Sequence, residues 1–81
     1  MRVTIRLFAR LRDLAGNGEL TREIPGPATV QTVWRSLTAE IPSLGEYERT
    51  LSVVINAEYS RMAAAVQDGD EVAFLPPVSG G

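Results

Sequence analysis

Residues 2–8 read Arg-Val-Thr-Ile-Arg-Leu-Phe and alternate apolar with polar side chains. Val3, Ile5 and Leu7 share one face, and this period of two predicts the first strand of a half-buried sheet. Phe8 is out of phase with these three residues, so we expect its ring to face away from the core. An aromatic ring on that face indicates contact with a binding partner better than it indicates packing.

The residues that follow this strand predict a hairpin and one long helix. Residues 9–15 predict one or two short helical turns, with Gly16 placed as a C-cap glycine. Residues 19–24 predict a second strand, because the Pro-Gly-Pro sequence after them breaks a ladder. Thr29 is a suitable N-cap for a helix that ends before Pro42. The apolar stripe of that helix comprises Val30, Val33, Trp34, Leu37 and Ile41.

The second half of the chain predicts mainly strands. Residues 42–50 predict a loop or a single turn, and the β-branched residues 51–56 predict a buried strand. Residues 58–66 predict a short edge strand around Tyr59, followed by irregular chain. Residues 71–75 predict a last strand that ends at two prolines. This order of elements predicts an α+β sheet with one long helix across it, and with the first and last strands as neighbours.

The side-chain composition excludes most enzyme chemistry. The 81 residues include no Cys, His or Lys, so the chain has no disulfide, no thiolate nucleophile and no imidazole base. The net charge of −2 argues against nucleic acid as a partner, and every apolar run is too short to span a membrane. We therefore expect one soluble, cytoplasmic domain whose active site, if any, is peripheral or shared with another protein.

The last six residues, Pro-Pro-Val-Ser-Gly-Gly, predict a thin extended arm. Two prolines cannot continue a ladder, and the two glycines beyond them carry no side chain. Such an arm can enter a narrow channel in another protein and present the carboxylate of Gly81 to ATP or to a nucleophile. In a chain without ordinary catalytic side chains, this pattern predicts a functional C-terminus.

Two other groups of charged residues have simpler structural interpretations. Asp68, Asp70 and Glu71 lack the spacing of a calcium loop and occupy a turn, so we predict no metal site. Several arginines are expected on a solvated sheet face or at the rim of an interface with acidic partners. These arginines are Arg2, Arg6, Arg10, Arg12 and Arg22.

Two segments near the ends of the chain resemble a known family, and the resemblance spans nearly the whole chain. Residues 8–16 (Phe-Ala-Arg-Leu-Arg-Asp-Leu-Ala-Gly) and 68–81 (Asp-Gly-Asp-Glu-Val-Ala-Phe-Leu-Pro-Pro-Val-Ser-Gly-Gly) resemble the small subunits of molybdopterin synthase, the MoaD-type sulfur carriers. The resemblance implies a ubiquitin-like β-grasp fold, with a mixed sheet of about four to five strands and one main helix. It also implies a single domain over residues 1–81, with residues 76–81 as a flexible C-terminal tail.

The resemblance further implies a chemical role for the C-terminus. The carboxylate of Gly81, with Gly80 as its essential neighbour, would be adenylated with ATP by a MoeB-type enzyme and converted to a thiocarboxylate. The sulfur would come from a donor such as a cysteine desulfurase or a rhodanese. A MoaE-type large subunit would supply the catalytic residues for sulfur transfer to cyclic pyranopterin monophosphate, in a heterotetramer of two small and two large subunits. By itself the chain would be no enzyme and would bind no cofactor.

An apolar surface near the tail would bind these partners. The residues that match the partner-binding positions of the family are Phe8, Tyr59, Leu75, Pro76, Pro77, Val78 and Ser79. Leu75 departs from the phenylalanine that is common at its position, which leaves the surface less aromatic. Tyr59 and Leu75 could instead simply cover the sheet.

Three other interpretations remain open from the sequence. A β-grasp sulfur carrier for another pathway, such as thiamine or cysteine synthesis, would differ in its partner and its acceptor. A ubiquitin-like modifier would form an isopeptide bond through Gly81, although without Lys it could not build lysine-linked chains on itself. A structural interaction domain with an inert tail would keep its full function after deletion of Gly80 and Gly81.

Overall fold

A mixed sheet of five strands covers one long helix, and a second sheet of two short strands lies beside them. The computed structural model describes residues 1–77, so the predictions for residues 78–81 lie outside the described residues. In chain order the elements are β1 (Arg2–Leu7), α1 (Ala9–Ala15), β2 (Glu19–Glu23), β3 (Ala28–Thr29), α2 (Val30–Glu40), a 3₁₀ helix (Pro42–Tyr47), β4 (Ser52–Ile55), β5 (Glu58–Ser60), β6 (Ala65–Val66) and β7 (Glu71–Leu75).

The strand order β2-β1-β7-β4-β5 places the first and last strands of the chain side by side in the large sheet. β1 and β7 run parallel, with Ile5 beside Val72, and the other neighbouring pairs of this sheet are antiparallel. The predicted hairpin of β1 with β2 and the predicted contact between the first and last strands are both confirmed. The mixed sheet matches the architecture that the resemblance implies.

The long helix α2 begins where its capping signal predicts. The Thr29 hydroxyl accepts a hydrogen bond from the backbone N–H of Thr32, and the Thr32 hydroxyl accepts one from the backbone N–H of Thr29. This capping box gives hydrogen-bond acceptors to two backbone N–H groups at the helix start, neither of which has a partner within the helix. The helix ends at Glu40, because Pro42 disfavours the helical conformation of the residue before it. Among the described residues, no helix is long and apolar enough to cross a membrane.

The core lies between the inner face of the large sheet and α2. The rings of Trp34 and Phe74 have centroids 4.9 Å apart and are tilted by 49°, and both side chains are fully buried. Val3, Ile5 and Leu7 are buried on the same side, which confirms the predicted face of β1. Within the predicted apolar stripe of α2, every residue but the last is fully buried. Burial of each large apolar side chain contributes about 1.5 to 3 kcal/mol to folding.

Two features of the structure differ from the sequence predictions. β6, which lies where the sequence predicts irregular chain, pairs antiparallel with β3, with Ala28 beside Val66. Strands of two residues have no recognisable period, so no pattern could indicate them. The loop or single turn predicted after α2 is a 3₁₀ helix of six residues, which begins at Pro42 and buries Leu44 completely.

Acidic residues build the turn before β7. One carboxylate oxygen of Asp70 accepts a hydrogen bond from the Asn56 side-chain amide at 2.9 Å, and the other accepts one from the backbone N–H of Gln67 at 2.8 Å. A carboxylate oxygen of Asp68 accepts a hydrogen bond from the backbone N–H of Arg2 at 2.6 Å. These contacts support the turn interpretation, and within residues 1–77 no cluster of acidic side chains could hold a metal ion.

Candidate partner-docking site

The outer face of the large sheet, opposite α2, carries the exposed aromatic residues. Successive side chains of a strand point to opposite faces, so the inward position of Leu7 turns Phe8 outward. Phe8 is 38% exposed, and the chain turns sharply after it because Ala9 has a φ of 50°. The predicted outward position of Phe8 is confirmed, whereas its contact with a partner stays a prediction.

An apolar groove lies at the carboxyl end of β7. It has a volume of about 590 Å³ and is lined by Phe8, Ala9, Arg10, Tyr47, Leu75, Pro76 and Pro77. Four of the residues predicted to bind a partner therefore meet here, one after β1 and three at the end of β7 and beyond it. The predicted site residues outside the described part of the chain are Val78, Ser79, Gly80 and Gly81.

The strand register explains why this corner of the sheet is apolar. Leu7 lies beside Phe74 in the parallel pair of β1 with β7, so the next residues, Phe8 and Leu75, leave the sheet next to one another on its outer face. Pro76 then ends the ladder because its nitrogen carries no hydrogen. An aromatic, an aliphatic and a proline side chain are thereby gathered at one point, next to the end of the described chain.

Tyr59 lies on the same outer face but not in the groove. The register places Tyr59 beside Val54, which in turn lies beside Ala73. Tyr59 is 82% exposed and lines a separate hollow of about 280 Å³ at the hairpin between β4 and β5. At that exposure Tyr59 covers little of the sheet, whereas Leu75 is half-buried and covers part of it. Tyr59 and the groove therefore form two separate parts of one face.

Most of the arginines singled out from the sequence pair with carboxylates of this chain. The pairs are Arg2 with Glu23, Arg6 with both Glu19 and Glu71, and Arg22 with Glu40. By contrast, Arg10 and Arg12 form no ion pair among residues 1–77. The expected solvated face therefore holds internal ion pairs, and Arg10 supplies the positive charge among the side chains that line the groove.

Two groove residues were not predicted as partner-binding residues. Tyr47 is one of two apolar residues in the otherwise polar segment 42–50, and this signal does not say which surface the ring joins. The 3₁₀ helix carries Tyr47 to the groove. Arg10 was predicted only as one of several rim arginines, because its position beside Phe8 depends on the turn that starts α1.

The groove is suited to binding rather than to catalysis. Its lining side chains are apolar except for the guanidinium of Arg10 and the phenol of Tyr47, so the described lining contains no carboxylate, imidazole or thiol that could act as a general base or a nucleophile. The reactive group that the sequence predicts for this region is the carboxylate of Gly81, which lies outside the described residues. The described residues therefore provide an apolar groove beside Pro77, and its role as a docking surface stays a prediction.

The fold and this surface define a ubiquitin-like β-grasp protein with an apolar groove at the end of β7. The profile of the ThiS family matches residues 5–81, and the chain belongs to this family. The chain is 39% identical over 79 residues to the molybdopterin synthase sulfur carrier subunit of Arabidopsis thaliana, with 98% of this chain and 82% of that protein covered. The family predicted from the two end segments is therefore confirmed.

Related proteins carry a second kind of name. The chain is 35% identical, over an alignment of 92 positions, to small archaeal modifier protein 3 of Haloferax volcanii, with both chains covered completely. The crystal structure of SAMP1 from Haloferax volcanii superposes on this chain with a TM-score of 0.85 at 31% identity, again with both chains covered completely. The predicted β-grasp fold is confirmed by this likeness.

Proposed function

We propose that this chain is the sulfur-carrier subunit of a molybdopterin synthase and that it acts through the carboxylate of Gly81. The observation that carries the proposal is the apolar groove at the end of β7, beside the point where the chain continues towards Gly81. The relationship to the sulfur carrier subunit of Arabidopsis thaliana supports the same function.

The position of the groove carries the proposal because a partner that binds there also lies next to the residues that lead to the Gly81 carboxylate. A partner that packs against Phe8, Leu75 and Pro76 lies beside Pro77, the last described residue. The four residues after Pro77 span at most about 14 Å when extended, so the partner receives the carboxylate close to its own docking surface. A narrow channel in the partner admits the final two residues because neither carries a side chain.

The proposed chemistry occurs at one carbonyl carbon. On a MoeB-type enzyme the Gly81 carboxylate attacks the α-phosphorus of ATP, releases pyrophosphate and becomes an acyl-adenylate. Free sulfide can displace AMP directly, so that a C–S bond replaces the C–O bond to the phosphate and a thiocarboxylate forms. Where a desulfurase or a rhodanese supplies the sulfur, its persulfide displaces AMP to give an acyl disulfide, and a thiol then cleaves the S–S bond, which leaves the thiocarboxylate and a new disulfide. The thiocarboxylate is a soft nucleophile, and two of them supply the two sulfur atoms of one dithiolene.

The proposal assigns the catalytic side chains to the partners. This chain has no His, Cys or Lys, so proton transfer during sulfur transfer to cyclic pyranopterin monophosphate falls to a MoaE-type large subunit. ATP is bound by the activating enzyme and not by this chain. The working assembly is a heterotetramer of two small and two large subunits.

Intact-protein mass spectrometry tests the proposal. The chain is incubated with ATP, a MoeB-type activating enzyme and sulfide, and the expected result is exchange of one oxygen for one sulfur at Gly81. Addition of the MoaE-type subunit and cyclic pyranopterin monophosphate is expected to reverse the exchange and to produce molybdopterin. Deletion of Gly81 is expected to abolish both steps, whereas the control Gln31→Ala, on the exposed side of α2, is expected to leave both unchanged.

Two results of this experiment would contradict the proposed function or assign the chain to another pathway. A folded wild-type chain that is never thiolated, in a reaction where the same enzyme thiolates another carrier, contradicts the sulfur-carrier function. A chain that is thiolated but transfers no sulfur to cyclic pyranopterin monophosphate is a carrier for another pathway, such as thiamine or cysteine synthesis.

A second candidate is a ubiquitin-like protein modifier. The relationship to small archaeal modifier protein 3 favours it. This function requires an isopeptide bond between the Gly81 carbonyl and a lysine of another protein, because the chain itself has no lysine. Peptide mass spectrometry of cellular proteins under activating conditions detects such bonds, and their absence leaves the sulfur carrier as the function.

A further inference from the structure

Arg10 places a positive charge at the apolar groove. The residue is exposed and lines the groove together with Phe8 and Tyr47. Among residues 1–77 its guanidinium forms no ion pair, although Asp13 follows three residues later on the same short helix. The groove therefore offers five hydrogen-bond donors of one guanidinium beside an apolar surface.

A shortage of acidic residues does not explain why Arg10 forms no ion pair among residues 1–77. The sequence has ten acidic residues against eight arginines, and several of the arginines elsewhere are paired. The paired arginines are Arg2, Arg6, Arg22 and Arg35. Four arginines, Arg10, Arg12, Arg49 and Arg61, form no ion pair among residues 1–77, and of these four Arg10 is the one that lines the groove, where its cation is available to another molecule.

We propose that Arg10 selects the partner by binding a partner carboxylate that lies next to an apolar side chain. The apolar side chain packs against Phe8, Leu75 and Pro76, and the carboxylate accepts hydrogen bonds from the Arg10 guanidinium. This inference rests on the proposed function, because the occupant is the protein that docks where the chain continues to Gly81. It adds a specificity-determining residue and the chemistry of its counterpart.

The selectivity follows from desolvation. In the free chain the exposed guanidinium is hydrated, and a protein that covers the groove removes part of that water. A partner with a carboxylate at this place replaces the lost hydrogen bonds with charge-assisted ones. A partner with a wholly apolar or a basic surface leaves the guanidinium unpaired or repelled, which disfavours the wrong complex.

Charge also argues against the two occupants that the chain itself could provide. A second copy that docked groove to groove about a two-fold axis would bring two Arg10 side chains towards each other. The chain's own residues 78–81 contain a single carboxylate, that of Gly81. The proposed function requires this carboxylate to react with ATP on the activating enzyme, so it cannot stay bound to Arg10. An acidic, partly apolar segment of the partner protein is therefore the occupant that fits the groove.

Isothermal titration with the purified MoaE-type subunit and the purified MoeB-type enzyme tests the proposal. For the partner that carries the carboxylate, we expect Arg10→Gln to raise the Kd about three- to fivefold at low salt. We expect Arg10→Glu to raise the same Kd about tenfold or more. The difference between the variants and wild type is expected to shrink at high salt, because salt screens exposed charges. Arg61→Gln and Arg61→Glu are matched controls, because Arg61 is exposed, forms no ion pair within residues 1–77 and does not line the groove.

Several results overturn the proposal. One is an Arg10→Glu chain that binds both partners as tightly as wild type at low salt, and another is an equal loss in Arg61→Glu. If a chain whose Gly81 carboxylate is converted to an amide binds more tightly than wild type, and Arg10→Glu removes this gain, the occupant is the chain's own carboxylate. If sedimentation shows a wild-type dimer that Arg10→Glu dissociates, the occupant is a second copy.

Mass spectrometry on the same samples separates this inference from the proposed function. When Arg10→Glu binds normally and wild type is thiolated and gives up its sulfur, the function stands and the role of Arg10 is wrong. When wild type is neither thiolated nor bound by either partner, the proposed function fails and the role of Arg10 fails with it. Thermal unfolding of the variants checks that the exposed substitution leaves the fold intact.

Discussion

The guanidinium carbon of Arg6 lies 5.6 Å from the centre of the Phe8 ring. The same guanidinium group lies 3.7 Å from a carboxylate oxygen of Glu19 in β2 and 3.9 Å from one of Glu71 in β7. One side chain therefore links the exposed ring to both strands that flank β1. A cation over the face of an aromatic ring restricts the ring before a partner arrives, which lowers the entropy cost of docking.

Arg6→Gln tests this link. We expect the free energy of unfolding to fall by about 0.5 to 1 kcal/mol, because two partly exposed ion pairs and one cation–π contact are lost. We also expect the Kd for the large subunit to rise about two- to fivefold, because the freed Phe8 ring must be ordered on binding. Urea unfolding and isothermal titration measure the two effects.

Arg2→Gln is the control for this substitution. It removes a similar exposed ion pair, with Glu23, and touches no aromatic ring. A loss of binding in Arg2→Gln equal to that in Arg6→Gln would show that the arrangement of Phe8 is not the cause.

Phe8→Ala tests the docking surface itself. We expect the Kd for the large subunit to rise about 30-fold or more, as for an aromatic residue at the centre of an interface. The free energy of unfolding should fall by only about 1 kcal/mol, because Phe8 is 38% exposed and lies outside the core, so that part of its packing and the contact with Arg6 are lost but no core cavity forms. Tyr59→Ala should have a smaller effect on binding because Tyr59 lies apart from the groove. Isothermal titration gives both values, and unchanged binding in Phe8→Ala contradicts the predicted surface.

Trp34 offers a test of the core. Its indole Nε1 is buried and has no hydrogen-bond acceptor among the described residues. We expect Trp34→Phe to cost only about 1 to 2 kcal/mol, because removal of an unpaired buried N–H offsets part of the loss of packing. Trp34→Ala should cost about 3 to 5 kcal/mol, because it leaves a cavity beside Phe74. Urea unfolding followed by circular dichroism measures both, and equal costs for the two variants contradict this account.

The turn between β4 and β5 predicts a stabilising substitution. Asn56 and Ala57 have φ angles of 48° and 71°, which is the left-handed conformation of both central residues in a two-residue hairpin turn. Alanine is strained there and glycine is not, so Ala57→Gly should raise the free energy of unfolding by about 0.5 to 1 kcal/mol. The control Ala39→Gly, on the exposed side of α2, should lower it by about 0.5 to 1 kcal/mol. Thermal unfolding gives the sign of each change, and destabilisation by both contradicts the assigned turn.

Elements with a regular period could be predicted, and those without one could not. The alternation of Val3, Ile5 and Leu7 predicted β1 and its buried face, and Thr29 predicted the start of α2. The pairing of β3 with β6 was missed, because two-residue strands form only when distant segments are brought together. The 3₁₀ helix was underestimated for a similar reason, because the burial of Leu44 depends on the packing around it.

The candidate site divides in the same way. Local patterns alone determined the outward position of Phe8, the lack of catalytic side chains and the proline stop after Leu75, because each depends on neighbours in the chain. Only the tertiary structure placed Tyr47 in the groove and paired Arg6 with glutamates while leaving Arg10 unpaired in the described residues. These contacts join segments that are far apart in sequence, and strand register and packing, which no local period encodes, decide which of their side chains meet.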